Sequence, residues 1–332
     1  AEPRFDLGRA ADRTGERHHA HTRGGSAAGS QGLAPPMNAK TSARPPAASR
    51  ARASAPGAAA SLDTYRPAWK QVLARVRRHE DYGAGHRWLD LELPKPFTAP
   101  VAGQFVQLLL PAPAPVLLPR PMSVAGVSAR GGRLTLGFLY APVGAGTRVL
   151  ATLEPGATLE VLGPLGRGFP LDDPGTPLLV AGGRGVAPLL LAADALAKRG
   201  RRSTFVFGAR TKALLVGLDD ARARLAKLGG ALHLATDDGS RGTRGTVLDV
   251  LGSLDRRLDA PLAIHACGPH AMLKAVALWA LARGHRASLA MESVMACGTG
   301  VCRGCPMPRS EASRRRYARE QATRPSLYGN AE

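Results

Sequence analysis

The sequence predicts a multidomain protein of the β-barrel plus α/β class, with an antiparallel barrel, a parallel-sheet α/β domain and a small C-terminal module. Short apolar runs separated by Gly and Pro fill residues 66–172. Strand-like and helix-like segments alternate over residues 173–290, and three cysteines lie close together within residues 291–332. A chain of 332 residues is long enough for two or three domains of ordinary size.

The first part of the chain, residues 1–63, is rich in Ala, Gly, Ser, Pro and Arg and shows no apolar periodicity. This composition predicts a disordered leader, because such a segment cannot bury enough apolar surface to fold. Met37 is a candidate for the natural start of the protein. We assign no function to this leader.

The charge and hydropathy of the chain limit its partners. A formal net charge of +20 is compatible with nucleic-acid binding. Much of the positive excess lies at the two ends, however, and no basic stripe is interleaved with aromatic residues, so we expect no nucleic-acid partner. The sequence also lacks an apolar run of about 18 residues and a basic-then-apolar signal. These features predict a cytoplasmic protein without a membrane span.

The repeated short runs define the two larger domains. Residues 66–172 contain WKQVLARV, HRWLDLEL, GQFVQLLL, RLTLGFLY and ATLEVLGP, several of which alternate with a period of two. Such runs predict an antiparallel barrel or sandwich. Farther along, PLLVAGG, STFVFGAR, ALHLATDD and PLAIHACGP alternate with helix-like segments. That alternation predicts a parallel sheet with helices on its faces.

Two turns in the α/β region are candidates for nucleotide binding. The stretch LVAGGRGVAP carries glycines between a strand and a helix, which would let the backbone approach a pyrophosphate. An ordinary tight turn is the alternative, because the full G-x-G-x-x-G fingerprint is absent. The second turn, CGP, follows the last strand of this region, although Cys267 could equally be a small buried hydrophobe. The residues in question are Gly182, Gly183, Gly185, Pro188, Cys267, Gly268 and Pro269.

The barrel region carries two further candidate segments. In RPMSVAG, Arg120 could present its guanidinium to a phosphate and Ser123 could hydrogen-bond a ligand, although a surface arginine on a turn is the default expectation. In LYAPVGAGT, Gly144, Gly146 and Thr147 could form a second phosphate-binding nest before a short helix.

The cysteine array is the third kind of signal. Cys297, Cys302 and Cys305 stand in a C-x4-C-x2-C pattern threaded with glycine. This spacing is typical of a plant-type [2Fe-2S] cluster, which needs four thiolates. A zinc site is the alternative, but it needs a second cysteine pair or histidines.

The order of these motifs resembles one family. It is similar to the series in the electron-transfer subunits of NAD-dependent dihydroorotate dehydrogenases. The motifs are, in order, R-P-x-S, G-x-G-T, GPLGRGF, G-G-x-G-x-A-P, TDDGSRGTRG, C-G-P and ACGTGVCRGC. That family is a branch of the ferredoxin-reductase superfamily. The resemblance covers the chain from about Trp69 to Cys305, and Met122 favours this branch over relatives with a stacking tyrosine.

The resemblance implies three domains with named cofactors. Residues 66–172 would be an FAD-binding barrel, residues 173–290 an NAD-binding domain and residues 291–332 a [2Fe-2S] module with an atypical basic tail. The implied FAD contacts are Arg120, Pro121, Met122, Ser123, Leu139, Tyr140, Ala141, Gly146 and Thr147. The two glycine-containing turns would hold NAD, with residues 236–240 along the nucleotide cleft. Cys297, Cys302 and Cys305 would hold the cluster.

The resemblance also implies a function. A catalytic, FMN-bearing partner would oxidise dihydroorotate, and electrons would pass through the cluster and FAD to NAD⁺ in pyrimidine biosynthesis. The family suggests a heterotetramer, and we expect no catalytic residue on this chain. The alternatives are a related NAD(P)H-flavin reductase subunit of another redox complex and a cluster-deficient regulatory or binding homologue.

One position departs from the family pattern. Gln321 stands where relatives carry the fourth cysteine. Three explanations are open: a cluster held by three thiolates plus water or an amide oxygen, no cluster at all, or an erroneous tail sequence. We favour an impaired or labile cluster.

Overall fold

The computed structural model describes residues 69–255, 261–302 and 304–305. The predictions for the leader, the basic tail and Gln321 lie outside these residues. Two sheets dominate the described part. The first is an antiparallel sheet of seven strands, and the second is a parallel sheet of six strands with helices on its faces. These two sheets confirm the predicted combination of an antiparallel and a parallel layer.

The antiparallel sheet has the strand order β4-β3-β7-β1-β2-β6-β5. Its strands alternate inward and outward side chains, as β2 shows, where Leu89, Leu91 and Leu93 are buried and the intervening Asp90 and Glu92 are half-exposed. A short helix, α1, connects β6 to β7. The bounds are β1 Lys70–Gly83, β2 His86–Leu93, β3 Phe105–Leu109, β4 Arg120–Ser123, β5 Gly126–Arg130, β6 Arg133–Tyr140, α1 Ala145–Leu150 and β7 Thr158–Leu165.

The parallel sheet has the strand order β11-β10-β9-β8-β12-β13. Its central strands are continuous apolar runs, because helices cover both faces of a parallel sheet. The bounds are β8 Thr176–Gly182, α2 Val186–Lys198, β9 Thr204–Ala209, α3 Leu218–Ala226, β10 Ala231–Thr236, β11 Thr243–Arg244, α4 Val247–Asp255, β12 Leu262–Cys267, α5 His270–Ala282 and β13 Arg286–Ala290. The sequence patterns missed β11 and β13, which are short and only partly apolar.

The core joins the two sheets. One apolar cluster contains Leu89 and Phe138 of the antiparallel sheet together with Leu190 of α2 and Phe207 of β9. A second cluster packs α4 and α5 against the other face of the parallel sheet. Because the first cluster draws on both sheets, the antiparallel sheet rests directly on α2 and the face it covers. Among the helices of the described part, none combines the length and the apolar character that a membrane crossing requires.

A polar network at the edge of this core also joins the two sheets. The Tyr82 hydroxyl at the end of β1 donates a hydrogen bond to the Asp220 carboxylate in the first turn of α3. Arg224 donates from Nη1 to Asp220 Oδ1 at 2.9 Å and from Nε to Asp194 Oδ2 of α2 at 3.0 Å. Burial and the hydrogen bond to Asp220 raise the pKa of Tyr82 above its ordinary value. The phenol therefore stays neutral and continues to donate.

The connection between the sheets is held by one arginine. Arg201 donates to the carbonyl oxygens of Leu171, Asp173 and Gly175, the last at 2.7 Å. One guanidinium thus satisfies three backbone acceptors of the linker. The linker path is therefore fixed by hydrogen bonds as well as by packing.

Replacing Asp220 by alanine should weaken the link between the sheets more than the same change at its neighbour. We expect Asp220→Ala to lower the free energy of unfolding by about 1.5–3 kcal/mol, because it removes the acceptor of two hydrogen bonds, one of them charged. Urea unfolding followed by tryptophan fluorescence measures the change.

Asp219→Ala is the matched control. Asp219 lies in the same helical turn, so both variants lose the same favourable interaction with the helix dipole. Its ion pair with Arg222 is exposed, and we expect a change of about 0.5 kcal/mol or less. Equal destabilisation by the two variants would contradict the proposed importance of the network.

Candidate functional site

The two glycine-containing turns meet at the carboxyl edge of the parallel sheet. β8 and β12 are neighbouring strands, with Ala181 opposite Cys267 in the register. An ideal β-carbon on Gly182 would stand 2.6 Å from Met272 Sδ and 2.8 Å from Pro269 Cδ. One on Gly185 would overlap the carbonyl oxygen of Cys267. The turns can therefore lie this close together only because glycine occupies these positions.

This junction brings two helix N-termini to the same edge. α2 begins at Val186, directly after Gly185, and its first turn contains no acidic side chain. α5 begins at His270, directly after Pro269. The first N–H groups of a helix carry the positive end of its dipole and bind phosphate groups where they have no partner. On the α2 side a 3₁₀ turn, Gly183–Gly185, leads into the helix, and the first N–H groups of α2 donate to the carbonyl oxygens of Gly183 and Arg184. The donors available to a phosphate on this side are therefore those of the turn itself. Pro188 lies in the first turn of α2, as expected, where its missing N–H costs no hydrogen bond. Arg184 is exposed, so its bulk does not fill the junction.

Cys267 contributes its backbone rather than its thiol. The side chain is 3 % exposed and belongs to the apolar core. Burial raises the pKa of this thiol to about 12, so the thiolate is disfavoured. The alternative considered from the sequence, that Cys267 is a small buried hydrophobic residue, therefore describes its side chain correctly. Its backbone carbonyl lies against Gly185.

Residues 236–240 follow β10, which places them along the same edge of the sheet. Thr236 Oγ1 donates to the carbonyl oxygen of Arg241 at 2.9 Å and accepts from its backbone N–H at 2.9 Å. Ser240 Oγ accepts from the backbone N–H of Lys212 at 2.8 Å, which ties this loop to the one after β9. Internal hydrogen bonds therefore shape the segment that the resemblance places in the nucleotide cleft.

The R-P-M-S segment forms β4, and Arg120 packs against the helix that follows β6. An ideal β-carbon on Gly146 would stand 2.9 Å from Arg120 Cδ and 3.2 Å from Val116 Cγ2. Arg120 donates from Nη2 to the carbonyl oxygen of Leu118 at 2.9 Å. Its Nε is buried and has no hydrogen-bond partner among the described residues. A buried guanidinium donor of this kind is available to an anionic ligand.

Among the other candidates in the antiparallel sheet region, Met122 and Thr147 make contacts within the protein. Pro121, Met122 and Ser123 complete β4, and Met122 packs partly buried against the core. Thr147 Oγ1 accepts from the backbone N–H of Gly144 at 3.0 Å and donates to its carbonyl oxygen at 3.1 Å. The Thr147 hydroxyl is therefore occupied in capping α1.

Tyr140 is held by a residue that the sequence patterns did not identify. Leu139, Tyr140 and Ala141 lie buried at the end of β6. His79 of β1 contacts the Leu153 carbonyl oxygen through Nδ1 at 2.6 Å and the Tyr140 hydroxyl through Nε2 at 2.8 Å. Since a carbonyl only accepts, Nδ1 donates, and in the neutral ring Nε2 accepts from the tyrosine. Burial raises the pKa of Tyr140 above its ordinary value. The Tyr140 hydroxyl therefore hydrogen-bonds to His79 within the protein.

The segments assigned to the flavin and to the nucleotide lie next to each other. Leu139 Cδ2 and Val186 Cγ1 both stand 3.4 Å from the position of an ideal β-carbon on Gly217. Leu139 lies one residue before the end of β6, the flavin-assigned strand, and Val186 begins α2 at the glycine junction. The structure therefore brings the two predicted groups of residues to one place, where two ligands could meet.

The cysteine array lies on a separate loop. Cys297 is partly buried, Cys302 is exposed and Cys305 is buried. Burial opposes ionisation of Cys297, but hydrogen bonds involving Thr299 and Cys302 outweigh it and lower the pKa of this thiol to about 6. Within residues 69–255, 261–302 and 304–305, no three His, Cys, Asp or Glu side chains are gathered as a metal site. The [2Fe-2S] site stays a prediction, and Gln321 lies outside the described residues.

Comparison with known proteins places the chain in a family. Residues 179–277 match the family model described as "Oxidoreductase NAD-binding domain". The dihydroorotate dehydrogenase B (NAD(+)) electron transfer subunit of Bacillus caldolyticus is 40 % identical over 206 residues, which cover 61 % of this chain and 76 % of the relative. The corresponding subunit of Listeria monocytogenes serotype 4b is 36 % identical over 218 residues, covering 65 % and 81 %. The chain belongs to the family of dihydroorotate dehydrogenase B electron transfer subunits.

Solved structures agree with this family assignment. The fold is similar to that of an NADH-dependent reduced ferredoxin-NADP oxidoreductase, with a TM-score of 0.61, 29 % identity and coverage of 69 % of this chain and 79 % of that one. A cytochrome P450 reductase of Amycolatopsis aligns with a TM-score of 0.55 and 27 % identity, covering 67 % and 69 %. The resemblance inferred from motif order is confirmed: the chain is an oxidoreductase subunit of the electron transfer family. The individual site residues and the domain boundaries stay predictions.

Adding one methyl group at the glycine junction should impair nucleotide binding by this electron transfer subunit. Gly185 has a helical backbone conformation with φ of −61°, so alanine there adds no backbone strain. The obstacle is the overlap of the new β-carbon with the Cys267 carbonyl group and the backbone nitrogen of Gly268. We expect Gly185→Ala to raise the Kd for NADH by at least about tenfold, which corresponds to about 1.4 kcal/mol. Titration of the purified protein with NADH measures it.

Gly252→Ala is the matched control, because a β-carbon at this position in α4 meets nothing within 4 Å. Alanine in an open helical site should leave NADH binding unchanged and hold or raise the melting temperature. An unchanged Kd in a folded Gly185→Ala variant would show that the junction does not contact the nucleotide.

Proposed function

We propose that this chain passes electrons from a dihydroorotate-oxidising, FMN-bearing partner through a [2Fe-2S] cluster and FAD to NAD⁺, in pyrimidine biosynthesis. Membership of the electron transfer subunit family supports the proposal. The observation that supports it most directly is that Leu139, on the strand assigned to the flavin, and Val186, on the helix assigned to the nucleotide, both approach Gly217. Hydride transfer requires this arrangement, since donor and acceptor must come into contact.

The residues present fit FAD. The buried Nε of Arg120 has no hydrogen-bond partner among the described residues, and Gly146 leaves room for the Arg120 side chain. Arg120 would bind the anionic part of the cofactor, and the buried end of β6 would keep water from the reactive ring. When bound, FAD exchanges single electrons on one side of the reaction and a hydride on the other.

The residues present also fit NAD. The glycine junction lets the backbone approach a pyrophosphate, and the N–H groups of the Gly183–Gly185 turn that leads into α2 would bind its oxygen atoms. Gly182, Gly183 and Gly185 would supply the close approach, and the Cys267–Pro269 turn would form the opposite wall. These residues bind and orient the ligand, and we assign no proton transfer to this chain.

The described residues do not by themselves complete a [2Fe-2S] site. They supply three thiols on one loop, whereas four ligands are needed, and they gather no set of three. This observation favours a second candidate function, a cluster-deficient regulatory or binding homologue. A related NAD(P)H-flavin reductase subunit of another redox complex remains the alternative within the enzyme class.

The partner and the location of the protein belong to the same proposal. The relatives are named as electron transfer subunits, so we propose a catalytic partner subunit and a heterotetramer of two catalytic and two electron transfer chains. The cytoplasm is the proposed compartment.

The composition of the purified chain should separate the candidate functions. We expect a flavin spectrum with a cluster shoulder and about two iron atoms and two sulfides per FAD, measured anaerobically before and after co-expression with the partner. Flavin without iron in both preparations would contradict electron transfer through a [2Fe-2S] cluster and would support the cluster-deficient function. Co-purification with a different redox partner would support the alternative reductase.

Removing the Arg120 guanidinium should release the flavin. We expect Arg120→Ala to weaken FAD binding about 10- to 100-fold, the effect of losing one charge-assisted hydrogen bond to the cofactor. Flavin fluorescence after dilution measures the released fraction. Arg130→Ala, an exposed arginine on β5 of the same sheet, removes the same charge and should leave binding unchanged. Equal FAD loss in both variants would contradict the assignment of Arg120.

A further inference from the structure

Gln107 is a buried amide at the centre of β3, and neither the sequence motifs nor the family assignment gives it a role. Its side chain is fully buried, at 0 % exposure. Val106 and Leu108 on either side belong to the apolar core. Because side chains alternate along a strand, Gln107 lies on the opposite face of the sheet from these two residues.

The loop that carries the cysteine array covers Gln107 on that face. Gln107 Nε2 donates a hydrogen bond to the carbonyl oxygen of Ala296 at 3.3 Å. An ideal β-carbon on Gly298 would stand 2.8 Å from Gln107 Nε2 and 3.1 Å from its Cγ. Ala296 and Gly298 flank Cys297 in the chain, so the amide contacts the loop on both sides of this thiol.

The choice of an amide at this position is informative. Gln107 Oε1 is buried and has no hydrogen-bond partner among the described residues. A buried polar atom without a partner is unfavourable, and an apolar side chain of the same length would fill the space without that cost. Space filling alone therefore does not account for glutamine, whereas the hydrogen bond to Ala296 does.

The register of the sheet connects this contact to the flavin-assigned segment. Gln107 lies directly opposite Pro121 of β4, within the R-P-M-S stretch. Arg120 lies opposite Leu108 and so belongs to the other face of the same strand pair. The pair β3–β4 therefore carries the cysteine loop on one face and Arg120 on the other.

We propose that Gln107 is a positioning residue that fixes the cysteine loop, residues 296–302, to β3 and thereby sets the distance between Cys297 and the flavin-assigned strand β4. The meaning of that distance for electron transfer rests on the proposed function. The contact itself does not, and it can be tested in protein that is free of iron.

The test compares the reactivity of Cys297 in the full chain after treatment with a chelator. Gln107→Met keeps the length of the side chain and removes the N–H donor, and Gln107→His keeps a ring N–H donor. We expect iodoacetamide to modify Cys297 about fivefold faster in Gln107→Met than in the wild type, the effect of losing one hydrogen bond that closes the loop. Gln107→His should react at close to the wild-type rate. Mass spectrometry of peptides resolves Cys297 from the other thiols.

A purely space-filling role predicts the reverse order, with Gln107→Met like the wild type and Gln107→His perturbed, and that result would overturn the proposal. Gln71→Met is the matched control, since Gln71 is an exposed glutamine of β1 that hydrogen-bonds Glu160 instead of the loop. It should leave the rate unchanged.

A variant on the loop side keeps the proposal testable even if substitutions in β3 impair folding. Gly298→Ala places a β-carbon 2.8 Å from Gln107 Nε2 at a backbone position with φ of +68°, so the clash and the backbone strain both displace the loop from Gln107 and should also accelerate the modification of Cys297. If both changes act through one contact, Gln107→Met adds little to Gly298→Ala. If the rate increase in the double variant equals the product of the two single increases, the two changes do not act through one contact and the proposal is contradicted. The iron content of the untreated wild type separately decides the proposed function, so the two proposals can fail independently.

Discussion

The close approach of two backbone turns at the edge of the parallel sheet is the constraint on which the site depends. Gly185 lies against the Cys267 carbonyl, and Gly182 lies against Met272 and Pro269. This contact fixes where α2 and α5 begin, so that the N-termini of both helices lie at one edge of the sheet. Because α2 begins there, Val186 reaches the position beside Leu139. The glycine contacts at the edge of the parallel sheet thus determine where the end of β6, in the antiparallel sheet, lies relative to the two glycine-containing turns.

The antiparallel sheet places two groups of candidate site residues on opposite faces, because side chains alternate along its strands. On the β3–β4 pair, Arg120 and Leu108 share one face, whereas Gln107 and Pro121 share the other. Arg120 contacts Gly146 on its face, and Gln107 contacts the cysteine loop on its own. A strand pair is only one backbone thick, so groups on its two faces are close without being in contact. This geometry suits electron transfer, which tolerates a short protein barrier, better than it suits group transfer.

The sequence predicted those features that have a local cause. β8, α2 and β12 follow from long apolar runs, and each glycine-containing turn follows from its own Gly and Pro residues at the end of a strand. The contact between the two turns is not local and was not predicted. β13 was missed because Arg286–Ala290 is short and its pairing with β12 is not encoded nearby. The contacts of His79 with Tyr140 and of Gln107 with Ala296 span 61 and 189 residues. No local sequence pattern predicts such contacts, because only the folded topology brings their partners together.

The four cysteines of the chain limit how any cluster could be completed. Three lie in the array, and the fourth, Cys267, is buried with its thiol pKa raised to about 12. Moving Cys267 toward the array would withdraw the carbonyl that lies against Gly185 and open the nucleotide junction. Its thiolate is therefore not available without loss of the other site. A cluster with four ligands on this chain must take one from a side chain other than cysteine, from water or from another chain. Water or a neutral side-chain oxygen binds iron more weakly than a thiolate, so a cluster completed in that way would be labile even where the loop is well positioned.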